Sequence, residues 1–378
     1  MYQRLISKIP EKSFFLFGPR GTGKTTFVKE KFKNALYFDL LKAETYNLLL
    51  ANPSRLEDFI PKNFNDWIII DEIQKIPRLL DEIHRLIEEK KLKFVLTGSS
   101  ARKLRRGGIN LLGGRAFILN MYPLTAIELG NDFKIEEYLN FGGLPAVYAT
   151  SEKSEYLKSY IQTYLQQEVA FEGLTRNLSA FSRFLEVASF SQGSVLNISE
   201  IGREAYINRK VVEDYFSILE DLLIGVRLPV FSKKAKRRLI KHNKFYFFDV
   251  GVYQALRPKG PLDDVRSLTG VALESLFFQN LRAVIDYFGF DYKIFYYRTV
   301  NGIELDFVIY GKRGIKAFEV KTKKDVFLRD LKPLKIFLDD YPIAKGYLIY
   351  GGKVRMNKEG IEIVPIEEAL LTLPEILK

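Results

Sequence analysis

The chain has 378 residues, 47% hydrophobic and 28% charged, a balance that excludes wholesale disorder and a length that suits two or three domains. Lys and Arg number 58 against 46 Asp and Glu, and the net charge of +12 is a bias toward polyanionic partners such as nucleic acid or an anionic membrane surface. Cysteine is absent and the histidines are only His84 and His242, which excludes disulfide frameworks, thiolate zinc sites, cysteine nucleophiles and histidine-rich metal centres.

Segment 1–130 alternates strands with helices. Ser13–Phe17 reads as a short apolar strand, Thr25–Phe32 as a helix, Ala35–Asp39 as a strand and Trp67–Ile70 as a buried strand. From Ile73 to Glu89 the apolar residues Ile76, Leu79, Leu80, Ile83, Leu86 and Ile87 fall at helical spacing, and Lys93–Thr97 is another strand. This alternation predicts an α/β domain with a mostly parallel sheet. Segment 131–230 is largely helical: Tyr138–Phe141 stopping at Gly142-Gly143, then Tyr156–Val169 and Phe181–Ser189. A short helix opened by Asn197-Ile198-Ser199-Glu200 runs to Ala205. A second starts at Asn208, with Val211, Val212, Tyr215, Phe216 and Leu219 on its apolar face. Beyond the linker candidate Gly260-Pro261, Leu273–Tyr287 reads as an amphipathic helix and Lys293–Tyr297, Glu304–Ile309 and Ile315–Val320 as strands. Lys332–Leu338 follows as a helix and Ala344–Ile349 as a strand. There is no internal repeat or low-complexity tract. No apolar run approaches the ~18 residues of a membrane helix, and Lys8, Glu11 and Lys12 interrupt any signal-peptide core, so a soluble, cytoplasmic chain is expected.

Gly18-Pro19-Arg20-Gly21-Thr22-Gly23-Lys24-Thr25 matches G-x-x-x-x-G-K-[ST] at every fixed position, between a strand and a helix, with Thr26 next in line. Backbone N–H groups of such a loop wrap phosphates, and the helix N-terminus favours their charge. Lys24 is expected to reach the β- and γ-phosphates of ATP and Thr25 to hold Mg²⁺. Trp67–Ile70 delivers Asp71 to a strand end, 46 residues after Thr25, where it can join the Mg²⁺ shell. Glu72 beside it is a candidate base to orient and activate water. Phe94-Val95-Leu96-Thr97-Gly98-Ser99-Ser100 is a third strand ending in hydroxyl residues that can sense the γ-phosphate.

The run from Phe17 to Leu129 resembles the AAA-superfamily ATPases of bacteria and archaea that carry a C-terminal domain of unassigned function. The matching features are Gly18–Thr25, Asp71-Glu72-Ile73-Gln74-Lys75-Ile76-Pro77, Leu96–Ser100, and Gly114-Arg115 leading to Tyr122-Pro123-Leu124. The resemblance implies an ATPase core with Thr97 or Ser99 near the sensor position. It makes Arg115 a candidate for sensing or stabilising phosphate, possible across a subunit interface, and it implies self-association into a ring.

Ile198–Ala205, a turn at Tyr206-Ile207 and Asn208–Glu220 have helix-turn-helix spacing. Val226–Val230 and Lys244–Phe248 can pair behind them, which gives a winged helix with Phe231–Asn243 as connecting loop. Lys233, Lys234, Lys236, Arg237, Arg238, Lys241 and Lys244 are seven cations in twelve residues with no acid, a composition suited to phosphate contact. On this reading Arg203, Arg209 and Lys210 face a nucleic-acid duplex and the wing grips its backbone. The competing reading is a helical packing module with a solvated basic loop. Arg102-Lys103-Leu104-Arg105-Arg106 is a second basic cluster, either a pore lining or a solvated loop.

Alternation places Glu319 and Lys321 on one face of one strand. Asp306 lies on the preceding strand, and a hairpin turn at Gly311–Gly314 brings it alongside Glu319. Glu274 on the Leu273–Tyr287 helix can complete the set, and Glu304 can add to it. Carboxylates so placed can bind Mg²⁺, and a lysine beside them can orient water. The arrangement resembles the restriction-endonuclease-like fold, a helix glutamate followed by D-x(12)-E-x-K across a hairpin, over about residues 270–350. The resemblance implies metal ligation by Glu274, Asp306 and Glu319 with Lys321 assisting. The alternative is a scaffold whose carboxylates pair with Lys321 and Arg298.

The sequence therefore predicts an α/β chain in three parts: an AAA-type ATPase core with a small helical lid over 1–160, a winged-helix-like module over 161–259 and a nuclease-like domain over 260–378. ATP and Mg²⁺ are the expected cofactors and DNA the expected partner. The function expected is ATP hydrolysis coupled to binding or processing DNA, with metal-dependent cutting as one form of that processing. The alternative is a nucleotide-controlled switch that binds DNA or protein through a non-catalytic nuclease-like domain.

Overall fold

The computed structural model describes residues 2–6, 8–100, 104, 112–165, 177–232, 242–261 and 263–378. The chain divides into two compact units. The first comprises Ile6–Tyr122 and Asp221–Leu223, the second Met1–Leu5, Pro123–Glu220 and Ile224–Lys378.

In the first unit five short strands form a wholly parallel sheet: β1 (Phe14–Phe17), β2 (Leu36–Asp39), β3 (Trp67–Asp71), β4 (Lys93–Gly98) and β5 (Phe117–Asn120), in the order β2-β3-β4-β1-β5. The inner strands of a parallel sheet are covered on both faces, so β1, β3 and β4 are largely apolar, whereas Phe117 and Ile118 on the edge strand β5 are exposed. Alternate residues Phe15, Phe17, Ile68, Ile70, Phe94 and Leu96 pack with Leu79, Leu80, Ile83 and Leu86 of the helix Leu79–Lys90. Phe14 and Phe32 meet the Trp67 ring at 5.7 and 5.1 Å. The helical spacing that starts at Ile73 is cut in two, because Pro77 cannot donate within a helix. Ile73–Lys75 forms one 3₁₀ turn and the helix begins at Leu79. The parallel register aligns Phe17 with Gly98 and Asp39 with Asp71, so the loops after β1, β3 and β4 share one edge of the sheet. That edge is where open α/β sheets bind ligands.

In the second unit the helix Leu178–Ser189 leads to β6 (Ser194–Val195), the helices Ile198–Ala205 and Arg209–Asp221, then β7 (Gly225–Leu228) and β8 (Lys244–Phe247). These strands form an antiparallel sheet in the order β6-β8-β7. Asn197 caps the first of the two helices by accepting from the Glu200 N–H at 3.3 Å. Tyr206, in the left-handed region at φ 55°, turns the chain into the second. The helix expected over Tyr156–Val169 begins at Lys153 and passes into a π-helical turn over Tyr160–Leu165, and its last residues lie outside those described.

The C-terminal sheet contains β9 (Tyr292–Arg298), β10 (Glu304–Gly311), β11 (Gly314–Lys321), β12 (Ala344–Tyr350), β13 (Met356–Lys358) and β14 (Ile361–Pro365), in the order β13-β14-β12-β11-β10-β9. The helix Val265–Tyr287 lays Phe277 and Phe278 on Phe318 and Phe307, at ring distances of 5.4 and 5.3 Å. Leu331, Leu334 and Phe337 of the helix Leu328–Asp340 pack with Leu305, Val308 and Ala317. Phe231, expected to open a loop, is fully buried in this core, because its N–H donates to Tyr296 O at 2.7 Å and so joins the chain to β9.

The long helix also ties the rest of this unit together. Asn280 accepts from the Ala126 N–H at 2.8 Å, Gln279 donates to Asp249 at 3.0 Å, and Ser275 accepts from Gln192 at 2.8 Å. The boundaries expected near residues 160 and 260 therefore both fall inside one compact unit. Among the described residues no helix is long and apolar enough to cross a membrane.

Candidate functional site

The chain leaves β1 at Phe17 and turns through the glycine-rich loop into the helix Lys24–Lys31. Gly21 and Gly23 stand at φ 83° and 90°, a region side chains rarely adopt. Gly18 is required for a different reason: a Cβ there would lie 2.3 Å from Met121 O. Thr22 Oγ1 donates to Pro19 O at 2.8 Å and fixes the bend. Lys24 is buried, and its Nζ donates to Gly18 O at 2.7 Å and Pro19 O at 3.1 Å. A polyphosphate in the loop would offer that ammonium charged, stronger acceptors. Arg20 and Thr26 are exposed.

Asp71, at the end of β3, is 2% exposed and gathers three hydroxyls. Thr25 Oγ1 donates to its Oδ2 at 2.9 Å, Tyr37 OH donates to the same oxygen, and Thr97 Oγ1 donates to Oδ1. Burial, then the bond to Asp71, raises the Tyr37 phenol well above its ordinary pKa. Thr97 also accepts from the Glu72 N–H at 3.2 Å. Glu72 is held in the left-handed region at φ 64°. Gln74 Nε2 joins it to Ser99, donating to Glu72 Oε2 and, at 3.1 Å, to Ser99 Oγ. The structure thus brings Lys24 to the loop, Thr25 and Thr97 to Asp71, and Ser99 to Glu72 through Gln74. Tyr37 and Gln74 were not singled out from the sequence. Tyr37 comes from a neighbouring strand, and only the β2–β3 register aligns it.

Arg115 is placed elsewhere. The Phe117 N–H donates to Ser13 O at 3.0 Å, which sets Arg115 at the opposite end of β5 from the phosphate loop. There it pairs with Glu88 and donates to Gly113 O at 3.1 Å.

Of the expected nucleic-acid contacts, Arg203, Arg209 and Lys210 are exposed around the turn between the two short helices. Lys233, Lys234, Lys236, Arg237, Arg238 and Lys241 lie outside the described residues, as do Arg102, Lys103, Arg105 and Arg106. Lys244 does not belong with them: it is 2% exposed on β8 and faces the carboxylates of the C-terminal set. All four residues of β8 are buried, so the charge run ends where the strand begins.

The expected acidic set does assemble. Pairing of Phe307 with Phe318 in the β10–β11 hairpin aligns Asp306 with Glu319, and Asp306 Oδ2 accepts from the Val320 N–H at 2.8 Å. Lys321 bonds Glu319 Oε1 at 2.5 Å. Lys244 Nζ stands 2.6 Å from Glu304 Oε1, 3.3 Å from Glu274 Oε1 and 3.9 Å from Asp306 Oδ1. Tyr246 OH donates to Glu274, and Arg298 reaches Glu304 at 3.2 Å. Burial, followed by the charge of Asp306, raises the carboxyl pKa of both Glu274 and Glu319. Burial opposes the charge of Lys244, but Glu274, Asp306 and Glu304 outweigh it and hold its pKa above the ordinary lysine value.

Metal fit differs between the two centres. Thr25 and Asp71 are an adjacent hydroxyl and carboxylate, hard oxygen donors that suit Mg²⁺ beside a polyphosphate. In the C-terminal set an ammonium lies among the carboxylates. Among the described residues no three or more His, Asp or Glu side chains are grouped so as to hold a metal ion. As arranged, that set does not fit one.

Residues 10–130 match the family model of an AAA domain. The match covers the parallel sheet and the phosphate loop of the first unit and supports an AAA-type, nucleotide-dependent ATPase domain there. Residues 132–263 match a domain of unknown function, DUF8612, and residues 269–369 a second, DUF4143. An uncharacterized protein of Haemophilus influenzae is 22% identical over 213 residues, 51% of this chain and 53% of that protein. The chain thus spans about half the length of the curated relative it matches. The crystal structure of protein VC1899 from Vibrio cholerae aligns over 96% of both chains at 11% identity, with a TM-score of 0.25 from which no common fold follows.

Proposed function

We propose that the chain hydrolyses ATP in a Mg²⁺-dependent reaction and uses the change of nucleotide state to control how its second unit holds nucleic acid. The carrying observation is the Thr25–Asp71 hydrogen bond of 2.9 Å at the strand edge that also bears the phosphate loop. When bound by Thr25 and Asp71, Mg²⁺ would neutralise charge on the β- and γ-phosphate oxygens. Loop N–H groups and Lys24 hold the phosphates. Glu72 orients water and takes its proton as the new P–O bond forms and the bond to the β-phosphate oxygen breaks. Gln74 keeps Glu72 in register with Ser99. Phosphate release with and without Mg²⁺, in wild type and Lys24→Ala, tests this reading. Release independent of Mg²⁺, or unchanged in Lys24→Ala, sinks it.

Helix, strand, two helices and a strand pair, in that order, support a winged-helix reading of residues 178–247, with Arg203, Arg209 and Lys210 exposed at the turn. Anisotropy of a labelled duplex is expected to weaken, with a shallower salt dependence, when these three become Ala. Equal binding would count against nucleic acid as the partner. The helix glutamate and the β10–β11 hairpin support a restriction-endonuclease-like reading of the C-terminal sheet. The lysine-filled carboxylate set favours its non-catalytic form, a binding switch. Cutting is favoured by one observation, the buried Glu319 Oε2 that has no hydrogen-bond partner. Plasmid nicking with Mn²⁺ that disappears in Asp306→Ala would establish cutting. A ring assembly with Arg115 serving a neighbouring copy remains part of the proposal. Its test is the mass of the chain in solution with and without ATP.

A further inference from the structure

Lys244 is carried by β8, yet its ammonium lies among carboxylates of two other elements, the helix Val265–Tyr287 and β10. Its contacts are Glu304 at 2.6 Å, Glu274 at 3.3 Å and Asp306 at 3.9 Å, and its side chain is 2% exposed. The centroid of the Tyr296 ring lies 5.6 Å from Nζ. A buried ammonium is tolerated only where charged partners compensate its lost hydration, and here three carboxylates do so. Tyr246, two residues on, fixes the Glu274 oxygen that Lys244 also faces. A divalent ion bound by Glu274 and Asp306 would stand within a few ångströms of this ammonium. Like charges at that range repel strongly in a buried setting.

The set is nevertheless not closed to a further partner. Glu319 is 4% exposed, and while its Oε1 is held by Lys321, its Oε2 is buried with no hydrogen-bond partner. The carboxylates therefore keep an acceptor that neither lysine satisfies.

We propose that Lys244 is a built-in cation that excludes divalent metal from the acidic set, so that the set takes a metal ion only where that charge is removed. The inference rests on the carboxylate geometry and the nuclease-like reading of the sheet, and it is independent of the ATPase reading. It assigns to β8 the counter-charge of a site formed by other elements.

The test is Mn²⁺ titration of the nucleotide-free full chain, read by the electron spin resonance signal of free Mn²⁺. Wild type is compared with Lys244→Met, which keeps the stem and removes the charge, and with Lys244→Gln, Lys244→Arg and the double variant Lys244→Met with Asp306→Ala. Near-ultraviolet circular dichroism confirms the fold of each, and Lys244→Gln carries the test if Lys244→Met does not fold. The expected result is Mn²⁺ binding at least about tenfold tighter in Lys244→Met and Lys244→Gln than in wild type, from removal of a close like charge. The gain is lost in the double variant and absent in Lys244→Arg. Equal, Asp306-dependent affinity in wild type and Lys244→Met overturns the proposal while leaving the set a metal site. No binding in either folded neutral variant overturns it too, and removes the metal reading with it. A gain in Lys244→Arg would show that charge is not the cause.

Discussion

Asp71→Asn tests the nucleotide centre most directly, because one substitution changes charge while leaving shape. The wild-type carboxylate is 2% exposed and accepts from Thr25 at 2.9 Å, from Tyr37 and from Thr97. Hydrogen bonds to a charged group contribute roughly 1.5–3 kcal/mol and neutral ones roughly 0.5–1.5 kcal/mol; the amide keeps one acceptor oxygen of the two, so the hydroxyls facing its nitrogen must reorient to accept, and the three contacts lose about 3 kcal/mol together. Relief from burying an ion offsets part of this, and the expected net destabilisation is about 1–2 kcal/mol. For a unit of this size that lowers its melting temperature by roughly 5–10 °C. Turnover falls further, by about 100- to 1,000-fold, as when a preorganised electrostatic group is removed from a reacting centre. Phosphate release and a thermal melt of the first unit's transition, run on one preparation, measure both. Tyr37→Phe is the companion, removing a single donor; it is expected to cost about 1 kcal/mol and leave turnover within about threefold. If Asp71→Asn melts like wild type and keeps turnover within about fivefold, Asp71 has neither role.

Gly18→Ala forces a Cβ to 2.3 Å from Met121 O, a backbone atom that cannot swing aside. Overpacking of this kind costs about 1–3 kcal/mol, and loss of ATP affinity is expected in equilibrium binding; unchanged affinity would contradict the geometry. Arg115→Ala removes an exposed pair with Glu88 at the far end of β5, so the melt should not move; a lower melting temperature would assign Arg115 a structural role. Burial, then Asp306, holds the Glu319 carboxyl above the ordinary glutamate value of 4.5, so the folded chain keeps a proton that the unfolded chain has released. Stability from this group is therefore lost as pH rises, and melts of the second unit at about pH 5 and about pH 8 should fall more in wild type than in Glu319→Gln. A steeper fall in the variant would reverse the sign and refute the assignment.

The two centres were legible to different depths. Gly18–Thr25 is contiguous, its spacing is fixed by the loop itself, and a strand end announces Asp71. Tyr37 gave no local signal, because its hydroxyl reaches Asp71 only once β2 and β3 pair in parallel with Asp39 beside Asp71. Asp306, Glu319 and Lys321 were readable because a hairpin converts sequence spacing into a cross-strand register. Lys244 was misplaced for a physical reason. Charge density along the chain grouped it with its basic neighbours, whereas β8 is buried on both faces and so lacks the period-two pattern that marks an inward side chain. The contacts that Gln279 and Asn280 make from one long helix, which join segments on either side of residue 260, are likewise invisible to composition.

The counter-charges argue for where chemistry resides in this chain. The three hydrogen bonds on Asp71 come from hydroxyls, which stabilise a carboxylate without cancelling its charge. A hard cation arriving with a polyphosphate still finds a negative oxygen and an adjacent Thr25 hydroxyl. Glu274, Glu304 and Asp306 face the Lys244 ammonium, and Glu319 faces Lys321. A metal ion entering there must first displace a buried lysine whose own desolvation those carboxylates compensate. Carboxylates are present in both places, so their mere presence does not distinguish the centres. What distinguishes them is whether the surrounding donors are neutral or charged, and on that criterion the first centre suits the proposed hydrolysis and the second the proposed exclusion of metal.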